Sequence, residues 1–326
     1  MSLFDEIRSA AAAVMERAGF VRIDRARLES LAHELAEELA RGAQQPLAPD
    51  PAHHHVGSPE ATLAFVVTLD AVNFGSGWFP RLAKRPGCSG YFTVATALKE
   101  HFERRGPWSP RQLSGLDARE IAAILGQDVT VPEVAELMGL FARALRDLGG
   151  FLEARCEGSF AGLMAAAAER AERLVRLLAE MPFYRDAVRY GDLEVPFYKR
   201  AQITASDLAS AFGSQGFGRF SDIDSLTSFA DNVVPHVLRC EGVLRYQVGL
   251  ASRIDAGELL ESGSLEEVEI RAAALHSVEG LVEAMAASPI RGRPVTARRL
   301  DSLLWNRGRS PAIKAHPRHR ARCVFY

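Results

Sequence analysis

Apolar side chains recur at the spacing of an α-helix along most of this chain, and that periodicity limits the folds open to it. In residues 24–42 the apolar stripe repeats every three or four residues, and Gly42 stands where a helix would end. Ser264 and Glu267 have the spacing of a capping box at the start of another such stretch. The pattern predicts helices over residues 2–18, 24–42, 92–105, 117–125, 131–148, 159–180, 205–212, 224–231, 236–247, 265–287 and 295–305.

Sequence signals for β-strands are few and short. Residues 65–69 and 323–326 are the best strand candidates. The loops between the predicted helices are too short, and not polar enough, to link independent domains. The sequence therefore predicts an all-α, mainly helical fold in a single domain over residues 1–326, with at most short β segments, in which two lobes can face a cleft.

Composition and missing motifs exclude several classes of protein. With 48% hydrophobic and 25% charged residues, the chain has the composition of an ordinary globular protein rather than of a disordered or collagenous one. It has no phosphate-binding loop, dinucleotide-binding glycine motif, His-Glu-x-x-His or Gly-x-Ser-x-Gly sequence. This argues against a nucleoside triphosphatase, a Rossmann dehydrogenase, a zinc protease and an α/β-hydrolase. We expect no cofactor.

Cysteine usage and the first residues of the chain indicate a reducing compartment. No two of the four cysteines are spaced as Cys-x-x-Cys, so neither a zinc knuckle nor a redox dithiol is expected. Asp5 and Glu6 stand where a signal peptide would be basic. Residues 61–80 are too polar, and too interrupted by glycine, for a membrane helix. The sequence predicts a cytoplasmic protein with no membrane partner.

Positive charge is concentrated at the end of the chain. The formal net charge is -2, but the last 36 residues carry ten Lys and Arg side chains against Asp301 alone, a charge of +9 that leaves -11 on residues 1–290. Such asymmetry is typical of a protein with an anionic partner. The apolar Val324, Phe325 and Tyr326 nevertheless favour a segment that docks on the body over a disordered arm.

Two segments are not explained by helix packing alone. In residues 70–80, two glycines allow the backbone to approach a ligand, and Phe74 and Trp78 supply flat faces, although the same residues suit a tight turn with an aromatic core. Lys199 and Arg200 can hold a phosphate or carboxylate, or can belong to a solvated face. Composition leaves both alternatives open for each segment.

A third segment, 221–235, combines acidic and apolar residues. A helix that starts near Asp224, with Asp224 as its N-cap, would place Asp224, Thr227 and Asp231 on one face. Asp231 stands in an apolar setting, where a carboxylate needs hydrogen bonds or a charged partner. If Pro235 opens the next helix, Asp231 can instead be a plain cap.

A run of three histidines precedes the first of these segments. His53, His54 and His55 are consecutive, so they cannot easily converge on one metal ion, and no further pair of ligands stands nearby. We expect no metal site there, and predict a loop with one useful imidazole.

Several short blocks of the chain occur in the order of a known family. They are the residues 70–74, 197–203, 222–227, 229–231, 234–235, 242–246, 267–272 and 301–305, followed by the His- and Arg-rich end with its closing Val324-Phe325-Tyr326. Over roughly residues 60–326 the chain resembles the queuosine salvage proteins, which are queuosine 5'-phosphate N-glycosylase/hydrolases. Many weak blocks in order make the resemblance specific.

The resemblance implies an enzyme, an N-glycosidase that hydrolyses queuosine 5'-phosphate or queuosine and releases queuine for salvage into tRNA modification. It implies a helical fold similar to that of helix-hairpin-helix DNA glycosylases. The enzyme would act on a free nucleotide rather than on duplex DNA. Asp231 falls at the catalytic position, Phe229 at a position that stacks on the base, and His55 at one that recognises the base. The other residues predicted to bind the substrate are Asn73, Phe74, Trp78, Lys199, Arg200, Asn306, His319, Arg320 and Arg322.

Two departures from the family pattern concern the base. Asn306 and Arg307 stand where the family has an acid and an aromatic residue, so Asn306 can hydrogen-bond the base but cannot pair its charge. Residues 75–78 replace a more aromatic stretch, which implies a wider pocket. Both changes affect substrate identity more than the type of reaction.

The residue types suit this chemistry, although a second function is open. Cleavage of a ribosyl N-glycosidic bond builds positive charge at C1', which a carboxylate can stabilise or trap. A 5'-phosphate needs cations, and the candidates are Lys199, Arg200, His319, Arg320 and Arg322. The alternative is a non-catalytic protein that binds nucleic acid or modified tRNA through its basic C-terminal segment.

Overall fold

The protein is mainly helical, as predicted, in a computed structural model that describes residues 1–42, 55–286 and 294–326. The helices within the described residues are α1 Leu3–Arg17, α2 Arg25–Gly42, α3 Pro59–Ala71, α4 Gly90–Arg105, α5 Pro110–Gly115, α6 Ala118–Leu125, α7 Pro132–Arg155, α8 Phe160–Ala167, α9 Ala171–Leu178, α10 Lys199–Ala211, α11 Val234–Cys240, α12 Val248–Asp255, α13 Leu265–Met285, α14 Ala297–Arg307 and α15 Pro311–Lys314. The strands are β1 Val21–Ile23, β2 Ala187–Tyr190, β3 Leu193–Pro196, β4 Leu244–Tyr246, β5 Leu259–Leu260 and β6 Arg320–Ala321.

The chain forms two compact units, each built from separate stretches of sequence. Of the described residues, unit 1 contains 1–42, 187–197, 224–286 and 294–322, and unit 2 contains 55–186, 198–223 and 323–326. The predicted single domain with two lobes and a cleft stays a prediction.

Unit 1 is built around α13. This helix packs against α1, α2, α11 and α14, and most of its residues are buried. Its Ser264 N-cap is confirmed, since the hydroxyl accepts the N–H of Glu267, but the Glu267 carboxylate accepts from Gly263 rather than completing the predicted capping box with Ser264. Three short pairs complete the unit, namely antiparallel β1–β4, antiparallel β2–β3 and parallel β5–β6.

Unit 2 is helical apart from its loops. The long helix α7 packs against α5 and α6, and α3 packs against α10, α7 and α8. All residues of α3 from Thr62 to Ala71 are buried. A helix buried on every side shows a continuous apolar run instead of a periodic stripe. The predicted strand over residues 65–69 is therefore wrong, because this run lies inside α3.

Other predictions differ from the structure where tertiary contacts override local preference. The helix predicted over 224–231 is wrong, since only a short 3-10 turn, Ile223–Ser225, stands at its start. The helix predicted over 159–180 is interrupted at Ala168 and Glu169, which both have positive φ angles. The helix predicted over 236–247 ends at Cys240, and β4 follows. The last four residues form no strand; the strand that exists nearby is β6.

Two further observations concern the class of protein. None of the four cysteines, which all lie in the described ranges, forms a disulfide bond. Among the described residues, no helix is long and apolar enough to cross a membrane.

Candidate active site

The segment 226–233 of unit 1 is buried but has no regular secondary structure. Backbone N–H and C=O groups that are removed from water need hydrogen-bond partners, and neither a helix nor a sheet supplies them here. The partners are side chains. Asp301 of α14 accepts the backbone N–H of Phe229 at 2.8 Å and the hydroxyl of Ser228 at 2.7 Å through the same oxygen, Oδ1. Arg271 of α13 donates from Nε to the carbonyl oxygen of Ala230 at 2.9 Å.

Asp231 is the one residue of segment 226–233 with an ionisable side chain. It is 7% exposed, and its Oδ1 accepts the backbone N–H groups of Val233 at 2.7 Å and Val234 at 3.0 Å. These bonds hold the backbone just before α11, whose N-cap is Val233, so Asp231 has a structural role close to that of the plain cap that was the alternative to a catalytic role. Within the described residues both hydrogen bonds of Asp231 end on Oδ1. The carboxylate is therefore held through Oδ1, and Oδ2 accepts no hydrogen bond from the described residues.

The helical arrangement predicted for the acidic residues of this region is wrong. Asp224 caps no helix but lies in the 3-10 turn with its side chain largely exposed, 4.0 Å from Arg298. Asp224, Thr227 and Asp231 do not share a helix face, because the chain is irregular from Leu226 onward.

The C-terminal segment approaches the same region of unit 1. Asn232 Nδ2 donates to the carbonyl oxygen of His319 at 3.4 Å. Burial lowers the pKa of the neighbouring Arg318 guanidinium, and the negative charge of Asp231 opposes that shift. Arg318, which the sequence did not single out, is thus a cation within electrostatic range of Asp231. It is half-buried and makes no hydrogen bond or ion pair with the described residues.

His319 lies beside these residues but is not a cation. It is 1% exposed, and burial together with the charge of Arg318 and other nearby cations lowers its pKa to about 3. The imidazole is therefore neutral near pH 7, and it can meet a phosphate through a hydrogen bond but not through a full charge.

The remaining predicted residues of unit 1 lie in less enclosed places. Arg320 donates from Nη2 to the carbonyl oxygen of Gly257 at 2.9 Å, which ties β6 to the chain before β5. Arg322 is exposed. Asn306 is also exposed on α14, where its Nδ2 donates to the carbonyl oxygen of Ser302 at 2.9 Å. Their predicted substrate contacts stay predictions.

In unit 2, the aromatic residues of segment 70–80 pack into the core. Phe74 is buried edge-on against Phe141, with ring centres 5.0 Å apart. Trp78 is buried too, and its Nε1 donates to Glu136 at 2.8 Å. Asn73 donates to Asp70 Oδ1 at 3.4 Å. This is the packing that a tight turn with an aromatic core would have, so composition alone could not distinguish it from a ligand site.

Arg200 is held by the main chain of unit 2. Its side chain is 1% exposed, and its guanidinium lies 4.8 Å from the ring centre of Phe74 and 4.7 Å from that of Tyr184. It donates to the carbonyl oxygens of Asp70, Ala71 and Phe183. The structure thus gives Arg200 a packing role at the end of α3, and we leave it out of the proposed site.

Lys199 and His55 are the last of the predicted residues. Lys199 is buried, and its backbone N–H donates to Asp186 Oδ2 at 3.1 Å. His55 is exposed, with Nδ1 3.5 Å from the hydroxyl of Thr62, while His53 and His54 lie outside the described residues. No group of three or more His, Cys, Asp or Glu side chains in the described ranges is arranged to hold a metal ion.

Comparison with known proteins places these features in context. Residues 53–326 match the sequence model of a family described as queuosine salvage protein. A protein of Sphaerobacter thermophilus named queuosine 5'-phosphate N-glycosylase/hydrolase is 36% identical over 318 residues, which cover 96% of this chain and 95% of that protein. Proteins of the same name from Mus musculus and Dictyostelium discoideum are 32% and 33% identical, over 83% and 82% of this chain and 83% and 79% of their own lengths.

Proposed function

The chain belongs to the queuosine salvage protein family, and on that premise we propose that it hydrolyses the N-glycosidic bond of queuosine 5'-phosphate and releases queuine. Water adds to C1' of the ribose as the bond to the base breaks. The electron pair of that bond stays with the base, which gains a proton, so the products are queuine and ribose 5-phosphate.

The observation that carries the proposal is the orientation of Asp231. Positive charge develops at C1' as the glycosidic bond lengthens, and a carboxylate fixed nearby stabilises it without reorganising. Two backbone N–H groups fix Oδ1 of Asp231, and Oδ2 accepts no hydrogen bond from the described residues. We propose that Oδ2 is the oxygen that faces C1' and stabilises its positive charge.

Phe229 and the base form the second part of the proposal. Stacking of a base on an aromatic ring contributes about 1–3 kcal/mol in nucleic-acid sites. The base of queuosine is a 7-deazapurine, which has no N7 to protonate, so it must receive its proton or hydrogen bonds elsewhere on its edge. Tight recognition of the base is therefore part of catalysis. His55, Asn73, Trp78 and Asn306 stay predictions for that recognition.

We assign the 5'-phosphate to Arg318 in unit 1. Its guanidinium is half-buried, has no partner among the described residues and lies within electrostatic range of Asp231. His319, which is neutral, can add a hydrogen bond. Lys199, Arg320 and Arg322 remain further candidates for the phosphate.

Fold similarity and location complete the proposal. The mainly helical structure is compatible with a fold similar to that of helix-hairpin-helix DNA glycosylases. Cysteines that form no disulfide bond in the described part of the chain are compatible with the cytoplasmic location predicted from the cysteine spacing.

Binding of nucleic acid through the basic C-terminal segment, the alternative, is not favoured. Two of its cations already have partners in unit 1: Arg307 is ion-paired with Glu241 and Glu38, and Arg320 donates to the carbonyl oxygen of Gly257. A binder of this kind should lose affinity for tRNA steeply with salt. Filter binding at two salt concentrations tests it, and tight, salt-dependent binding by a protein that releases no queuine would favour the alternative.

The proposed function itself is tested by identifying the products. The purified protein, incubated with queuosine 5'-phosphate, is expected to yield equal amounts of queuine and ribose 5-phosphate by chromatography. Unchanged nucleotide after prolonged incubation would contradict the proposal.

A further inference from the structure

The peptide groups that precede Asp231 are held by two buried side chains of opposite charge. Asp301 is 4% exposed and Arg271 is fully buried. Asp301 accepts hydrogen bonds from the hydroxyl of Ser228 and the N–H of Phe229. Arg271 donates a hydrogen bond to the carbonyl oxygen of Ala230. Three consecutive residues ending next to Asp231 are thus anchored to α13 and α14.

Burial of a charged side chain that holds a loop carries a desolvation penalty. Removing an ionised side chain from water is strongly unfavourable unless hydrogen bonds and opposite charges compensate, and an apolar side chain of similar size carries no such penalty. In return, hydrogen bonds to an ionised group are shorter and stronger than those between neutral groups. The bonds of Asp301 to Ser228 and Phe229 therefore define the position of this segment closely.

Arg271 is itself immobilised within α13. Its guanidinium lies 4.0 Å from the ring centre of Phe197, and its Nε is 3.8 Å from Glu267 Oε1 one helical turn away. Since α13 packs against α14, the two anchoring side chains lie on helices in direct contact.

We propose that Asp301, supported by Arg271, is a positioning residue for the hydrolysis, acting through Phe229 and Asp231. This inference rests on the proposed function. Asp301 touches no reacting atom; it holds the ring that stacks on the base and the carboxylate that faces C1'. A misplacement of about 1 Å can cost about 100-fold in rate, so loss of this anchor should be visible in catalysis.

The test compares Asp301→Asn with Asp255→Asn, a change of an exposed carboxylate of unit 1 that pairs with Arg239. Asp301→Asn keeps the size of the side chain but removes its charge. We expect kcat on queuosine 5'-phosphate to fall about 10- to 100-fold and the affinity for free queuine, measured by calorimetry, to weaken. Asp255→Asn should retain the wild-type kcat, KM and affinity.

Circular dichroism and thermal melting establish which variants are folded at the assay temperature. Wild-type kcat and queuine affinity in folded Asp301→Asn would overturn the inference while leaving the proposed function intact. If Asp301→Asn does not fold, Ser228→Ala removes one bond to Asp301, with an expected drop in kcat of about 2- to 10-fold, and unchanged kcat would overturn the inference. A wild-type protein that releases no queuine overturns the proposed function first and this inference with it.

Discussion

Segment 70–80 of unit 2 and segment 226–233 of unit 1 both combine aromatic and polar residues, but their polar groups make different contacts. Both are largely buried, and in each a buried arginine from another part of the chain donates to the backbone: Arg200 to the carbonyl oxygens of residues 70 and 71, and Arg271 to that of Ala230. In segment 70–80, the side chains of Asn73 and Trp78 donate hydrogen bonds to other side chains of unit 2. In segment 226–233 two backbone N–H groups hold Oδ1 of Asp231, and its Oδ2 accepts no hydrogen bond from the described residues. An aromatic and polar composition therefore does not by itself indicate a site.

Loss of the buried guanidinium in unit 2 should produce a large effect on stability. Arg200→Met leaves three carbonyl oxygens without their donor, so we expect the free energy of unfolding to fall by about 3 kcal/mol or more. Urea denaturation measures it. Arg111→Met, at an exposed site of the same unit, should stay within about 0.5 kcal/mol of wild type. Equal unfolding midpoints for the two variants would remove the packing role of Arg200.

Loss of the cation near Asp231 should instead change substrate preference. Arg318→Ala is expected to lower kcat/KM for queuosine 5'-phosphate about 10- to 100-fold and to leave kcat/KM for queuosine nearly unchanged, because only the nucleotide carries the phosphate. Steady-state kinetics on both substrates measure the ratio. Lys314→Ala removes the same charge from an exposed position of the tail and should not change it. Equal losses on nucleotide and nucleoside would exclude Arg318 as the phosphate ligand.

The buried histidine of unit 1 should make stability depend on pH. His319 has a folded-state pKa of about 3, below its value in the unfolded chain of about 6.5. The unfolded state therefore binds more protons below about pH 6.5, and the free energy of unfolding falls as the pH is lowered, by at most about 1.4 kcal/mol per pH unit from this group. Burial is the main cause, and the charges of Arg318, His236, Arg271 and Arg239 add to it.

Denaturation at pH 7, 6 and 5 tests this effect. We expect His319→Gln to unfold with a weaker dependence on pH than wild type. His33→Gln, which changes an exposed histidine, should keep the wild-type dependence. Parallel curves for wild type and His319→Gln would contradict a neutral, buried His319.

The sequence predicted those parts of the fold whose burial is one-sided. Apolar stripes gave the bounds of α1 and α2 to within one residue. The same reasoning failed for α3, because a helix buried on all sides has no stripe. It also failed over residues 224–231, where the hydrogen bonds that replace a helix come from Arg271 and Asp301, residues remote in sequence.

The candidate site was predictable only in part. The family resemblance singled out Asp231 and Phe229, and their roles stay proposals. Arg318 was missed because the cations of the C-terminal run look equivalent in sequence, and only burial and the proximity of Asp231 separate them. Arg200 was predicted to bind the substrate because of its charge. Its burial between the rings of Phe74 and Tyr184 leaves no signal in the neighbouring sequence.

The most direct test of the account is turnover by Asp231→Asn. An asparagine can still accept the N–H groups of Val233 and Val234 through its Oδ1, so the hydrogen bonds at the start of α11 are retained while the negative charge is lost. Asp117→Asn is the matched control, because Asp117 likewise accepts two backbone N–H groups at the start of α6. We expect Asp231→Asn to melt close to the wild-type temperature, yet to release queuine from queuosine 5'-phosphate at least about 1000-fold more slowly. Asp117→Asn should match wild type in both measurements. Wild-type release of queuine by folded Asp231→Asn would contradict the account.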